Sequence, residues 1–226
     1  MLEFGYAEVE RVLAELHRIA DDKRTAFRAR LKHFQRLGFP EGANTGTGKR
    51  AVYSSDMLLQ LVMAVELVQC GLPPKTIVRL LNDNWETTRR ALMYAMTPDE
   101  KFEELPRYYD SPDLMWTIRP EALRDLSSDG ENEFDFMEAV SVESVESLSA
   151  FFVRQRDYGV IVGESHRHIV IQLRELVAKL LYAVMNEVSR EAARGILSDL
   201  LEHEAIEWQE RKDFSNQLSK ALDDGS

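Results

Sequence analysis

The stretch Gly42-Ala43-Asn44-Thr45-Gly46-Thr47-Gly48-Lys49-Arg50-Ala51-Val52-Tyr53 admits two readings that lead to different folds. A glycine-rich loop ending in lysine cradles a nucleotide phosphate, or it forms the tip of a small β-wing whose cations grip a phosphate backbone. The nucleotide loop requires G-x-x-x-x-G-K-[ST], with a buried strand before it and a helix after it. Here Ala43 stands where the first glycine belongs, and Arg50 where the metal-binding hydroxyl belongs. A basic segment precedes the loop, and the β-favouring Val52-Tyr53 follows it. All four departures favour the wing.

Upstream of the loop, the pattern predicts two helices. From Tyr6 to Ala20, Val9, Val12, Leu13, Leu16 and Ile19 recur at helical spacing and form one apolar stripe. Asp21 and Asp22 are candidate caps for a second helix, in which Phe27, Leu31 and Phe34 share a face. Gly38 supplies a left-handed stop after Leu37. Opposite the apolar face lie Thr25, Arg28, Ala29, Lys32 and Arg36, small residues that permit close approach mixed with long cations that reach base edges or phosphates. Two helices joined by a tight turn, the second basic on its outer side, are what a helix-turn-helix requires.

Downstream, Ser54 or Ser55 caps a largely apolar helix from Asp56 to about Gln69, closed by Gly71. Pro73-Pro74 then starts a short helix carrying Ile77, Val78, Leu80 and Leu81. The lone Cys70, beside Gly71, reads as a buried structural thiol.

Charge is distributed unevenly. The 226 residues carry a formal net charge of −11, which disfavours attraction of the whole chain to nucleic acid or an acidic membrane. Between Lys23 and Arg50, however, eight basic residues face the single acid Glu41. That local excess of +7 leaves −18 on the remainder and marks one surface suited to a polyanion. A single cysteine precludes an intrachain disulfide, and no apolar run approaches the ~20 residues needed to span a bilayer. The acidic start MLEFGYAEVERVLAEL lacks the features of a signal peptide, so the cytoplasm is the expected compartment.

With these elements in order, residues 6 to 85 resemble the DNA-binding region of the MerR family of bacterial regulators. "KRTAFRARLKHFQRLGFP" is similar to the family's recognition helix and its closing Gly-apolar-Pro run. "TGTGKRAVYSSDMLLQLVMAVELVQCGLPPKTIVRLL" is similar to its wing, its Tyr-x-x-Asp helix start and the helix that follows, with Tyr53, Asp56, Gly71, Ile77, Leu80 and Leu81 as anchors. Two departures stand out: Arg24-Thr25-Ala26-Phe27 replaces the family's Arg-Tyr-Tyr/Phe start, and no long heptad helix follows Leu81. The resemblance implies winged helix-turn-helix DNA binding. Thr25, Arg28, Lys32 and Arg36 then face the major groove, Lys49 and Arg50 contact flanking phosphates, and Lys23 or Arg24 anchors the helix start.

The second half carries less chemistry. Met115-Trp116-Thr117-Ile118 and Phe134 to Met137 are candidate strands of a hairpin around "SSDGENE", Val142 to Phe152 reads as a helix, and Tyr158 to Val162 as an extended piece. Ser165 to Met185 is the strongest helical pattern here, with Ile169, Val170, Leu173, Leu176, Val177, Leu180, Leu181 and Val184 on one wide apolar face. Another helix is expected from Glu191 to about Trp208. His166 and His168 are misplaced for a shared helical face, and His203 with Glu207 is a two-ligand pair without a third candidate. No catalytic constellation emerges, so neither an enzyme nor a cofactor or metal is expected.

The expected architecture is mainly α. Residues 1–85 form a winged helix-turn-helix with a short β-wing, and residues 86–226 a helical regulatory or oligomerisation domain with a small β-hairpin. The expected partner is double-stranded DNA, bound by a homodimer because one short helix-turn-helix reads few base pairs. Two rival readings use the same residues. In one, the module docks on RNA polymerase or a partner regulator. In the other, Trp116, Phe134, Phe136, Phe151, Phe152 and Tyr158 line a small-molecule pocket.

Overall fold

A computed structural model describes residues 2–43, 51–102, 105, 108–109, 111–119, 140–158 and 168–204. Among these the chain is mainly helical, with two small antiparallel sheets. Strand β1 (Glu3–Gly5) pairs with β2 (Val52–Ser54), placing Phe4 opposite Tyr53. Three residues are too few to show a period, so the sequence pattern did not predict β1. Its exit is fixed locally: the Gly5 amide donates to Glu8 Oε2 at 2.7 Å, satisfying an N–H at the start of α1 (Tyr6–Leu16).

Helices α1, α2 (Arg24–Arg36) and α3 (Ser55–Gln69) end in the same way. A residue with positive φ follows the C-cap: Arg18 at 51°, Gly38 at 76° and Gly71 at 87°. The next amide then reaches back to a carbonyl in the last turn, Ile19 to Ala14, Phe39 to Phe34 and Leu72 to Leu67, closing a Schellman motif. Gly38 and Gly71 act as expected. Helix α1 stops at Leu16, short of the expected Ala20, because Arg18 turns the chain.

Other boundaries also differ. Asp21 and Asp22 belong to a 3₁₀ turn (Asp21–Lys23), and Lys23 takes the N-cap of α2 without a side-chain bond. Ser54 is the cap of α3, its hydroxyl accepting from the Met57 amide at 3.2 Å. The expected short helix after Pro73 is instead one 23-residue helix, α4 (Pro74–Met96). It passes through residue 85, the expected boundary between two domains. A short α5 (Asp99–Phe102) follows.

The second sheet has β3 (Leu114–Ile118) at its centre, flanked by β4 (Val140–Ser144) and β5 (Ile169–Gln172). Met115 to Ile118 is a strand as expected, but Phe134 to Met137 and the "SSDGENE" turn lie outside the described residues. Val142 to Ser144, expected to begin a helix, pairs in β4, and α6 (Val145–Tyr158) starts only afterwards. Likewise Ile169-Val170-Ile171, expected on a helix, pairs with β3, and α7 (Leu173–Glu187) begins after it. β-Branched side chains lose little by extending where a neighbouring strand offers its edge. A last helix, α8, covers 190–204.

One continuous apolar core runs through these elements, including Phe4, Leu13, Leu31, Leu59, Leu81, Trp116, Leu180 and Ile196. Each such buried side chain contributes roughly 1.5–3 kcal/mol. Polar ties reinforce it: Asp199 Oδ2 on α8 accepts from the Leu2 amide at 2.9 Å and the Ser55 hydroxyl at 2.7 Å. Arg11 on α1 donates to the Glu187 carboxylate at 3.1 Å.

Candidate nucleic-acid interface

Phe27, Leu31 and Phe34 are the buried face of α2, and Phe34 packs on Phe39 with ring centroids 5.9 Å apart. Those contacts leave the opposite side in water. Thr25, Arg28, Ala29, Lys32 and Arg36 are all exposed there, along with Arg30 and His33 on the flanks. Lys23 is exposed as well, and its 3.0 Å pair with Asp22 joins two largely solvated side chains, an arrangement that restrains neither strongly. Lys49 and Arg50, the expected wing contacts, lie outside the described residues.

Arg24 and Arg28 are held from behind. Glu10 on α1, only 4% exposed, accepts from Arg24 Nη1 through Oε1 and from Arg28 Nη2 through Oε2, both at 3.3 Å. Arg24 also lies 3.8 Å from Asp21. The sequence reading missed Glu10. It flanks the apolar stripe of α1, and nothing in its local pattern shows which cations of the next helix it meets.

The motif residues that carried the resemblance are structural. Tyr53 is buried, and its hydroxyl accepts from the Gln35 side-chain amide, tying β2 to α2; burial raises its pKa. Asp56, in the first turn of α3, accepts from the Trp85 indole at 2.9 Å, locking α3 to α4. Ile77, Leu80 and Leu81 are core. Together they hold α2 and the base of the loop as a unit.

Elsewhere the polar groups knit the core. Trp116, one of the expected pocket residues, is fully buried, and its indole donates to Thr88 Oγ1 at 3.0 Å. Phe134 and Phe136 lie outside the described residues, as do the side chains of Phe151, Phe152 and Tyr158. Arg90 Nε donates to Glu204 at 3.1 Å, its Nη2 donates to Glu86 at 2.8 Å, and the guanidinium lies 4.5 Å from the centre of the Tyr108 ring. Burial alone would lower the Arg90 pKa, but the two carboxylates outweigh it and the net shift is upward. Burial has the opposite effect on a phenol and pushes Tyr109 up to about 12.

Cys70 is exposed at the rim of α3 rather than buried, since the final helical turn carries it beyond Leu67. Partial desolvation, then the Glu66 carboxylate, raises its pKa, which keeps the thiol protonated. No group of three or more metal-ligating side chains occurs among the described residues; Glu207 and His166 lie outside them. No helix among them is long and apolar enough to cross a membrane.

No family model, curated protein or solved structure matches the chain. The described residues define a mainly helical protein with small antiparallel sheets, whose most cationic helix turns its charged face to solvent.

Proposed function

We propose that the protein is a sequence-specific DNA-binding transcription regulator that lays α2 in the major groove. The observation carrying this reading is the exposed stripe Thr25, Arg28, Lys32 and Arg36, opposite a fully buried face on a helix fastened at both ends. A helix of this kind enters a groove some 12 Å wide without rearrangement. Thr25, Arg28, Lys32 and Arg36 face the groove, where base contacts supply specificity, while Lys23 or Arg24 anchors the helix start and the wing cations Lys49 and Arg50 set register on flanking phosphates. The acidity of the rest of the chain repels DNA and confines contact to this face.

In this reading α1 and α2 are a MerR-like helix-turn-helix, the loop between Pro40 and Lys49 is its wing, and a homodimer reads two half-sites. Genome-wide DNA occupancy of the intact protein tests it, with Arg28→Ala/Lys32→Ala alongside. Discrete peaks that weaken by roughly tenfold or more in the variant are expected, since each bidentate base contact is worth about 1–3 kcal/mol. Peaks that persist unchanged would mean recruitment through a protein partner, and the groove assignment would fall.

A further inference from the structure

Glu10 occupies a place in α1 where a carboxylate is costly. Its side chain is 5% exposed, and a buried ion is tolerated only when its charge is compensated. Two guanidiniums do so, one on each oxygen, both 3.3 Å away and both from the exposed cationic helix. The compensation binds in both directions. Arg24 and Arg28 are restrained by the same carboxylate that they neutralise.

The geometry leaves both arginines able to act outward. A guanidinium has five N–H donors, and Glu10 takes one from each. The Arg28 side chain remains 52% exposed. Behind it, the hydroxyl of Tyr6 is buried without a hydrogen-bond partner, and burial, Tyr53 and Glu10 together raise its pKa. The Arg24 side chain is 23% exposed and its Nε lies 3.8 Å from Asp21, so Arg28 is the more outward-facing of the two.

Resting on the DNA-binding reading above, we propose that Glu10 is a specificity-determining positioning residue. It aims the fork of Arg28 toward the groove and holds Arg24 at the helix start before DNA arrives, and its negative charge reduces the attraction of α2 for phosphates of any sequence. A pre-aimed fork discriminates between bases because little ordering is left for the moment of binding. A free one finds phosphates anywhere.

The test is selection of full-length protein on a random-sequence duplex library, followed by affinity for the selected and unselected duplexes across a salt series. Wild type is compared with Glu10→Gln, which keeps the shape and removes the charge, and Glu10→Asp, which keeps the charge and shortens the reach. Glu10→Gln is expected to bind unselected duplex about threefold to tenfold more tightly, with a log–log salt slope steeper by about 0.9 for the cation released. Its preference for the selected duplex falls by about tenfold. Glu10→Asp, which also serves if Glu10→Gln fails to fold, is expected to hold the wild-type slope and still lose preference. If wild type selects a motif but both variants match it in slope and preference, Glu10 merely joins α1 to α2 and the proposal fails. If wild type selects nothing, the DNA-binding reading fails first.

Discussion

At the residue scale, Arg18 and His17 show how the α1–α2 turn was made. Arg18 takes the left-handed position that glycine fills at 38 and 71, which costs a non-glycine residue about 1–2 kcal/mol. Arg18→Gly should therefore stabilise the fold by roughly 0.5–1 kcal/mol after glycine's own entropy cost, and Gly71→Ala should lose about 1 kcal/mol, both read from urea denaturation. Next to it, the His17 side chain is buried against α3, with the Gln69 side-chain amide donating to Nδ1 at 2.7 Å. Its Nε2 is buried without a partner, and burial lowers its pKa from 6.5 to about 4. Folding thus weakens proton binding, so the unfolded chain gains protons first as pH falls. Stability is complete above 6.5 and drains between 6.5 and about 4, by up to roughly 3 kcal/mol. Glu66, 3.4 Å away, acts in the opposite sense because burial raises its pKa. Comparing wild type with His17→Gln largely cancels that contribution: the variant's stability should fall less over this window, and an identical slope would show that His17 is not buried neutral.

At the element scale, α4 and α8 are joined through charge as well as apolar contact. Arg90 and Glu204 are both within the core, and removing one partner abandons a buried charge. Arg90→Leu is expected to cost about 3–5 kcal/mol, whereas Arg90→Leu/Glu204→Leu should recover most of that loss. A double mutant as unstable as the sum of the singles would show that the pair is not coupled. Elements were also where sequence pattern was most ambiguous. Ile169-Val170-Ile171 satisfies either a helical face or a strand, and the edge of β3 decides the matter by supplying hydrogen bonds. Pro74 was read correctly as a helix start, but α4 runs on to Met96 since Thr88, Ala91, Leu92 and Ala95 find a buried surface.

At the scale of the whole molecule, the N-terminal region packs against the elements that follow it. Cutting the chain after residue 85 would sever α4, remove the α7 surface from α1, and release Leu2 and Ser55 from Asp199. Such a fragment is expected to lack a cooperative thermal transition by circular dichroism. A sharp two-state melt would support a domain division at that residue. The same packing holds α2 with its cations outward on an acidic body.

What the chain alone determined is short in range. Apolar residues at helical spacing drew α1 and the buried face of α2, glycines at 38 and 71 set two of three helix stops, and Ser54 set a cap. Those depend on residues within a turn or two of each other. The cationic face, Thr25, Arg28, Lys32 and Arg36, was legible for the same reason: once one face of a helix is apolar, the other is fixed by 3.6-residue geometry. Only the tertiary structure decided which acids meet which donors. Glu10 faces Arg24 and Arg28 across an inter-helix turn, Glu204 reaches Arg90, and Asp199 reaches Leu2 from 197 residues away. Strands β1 and β5 belong to the same class, for neither is stable until a partner strand arrives. Such pairings are set by the free energy of burying charges and strand edges together, and that cost does not exist until the chain has packed.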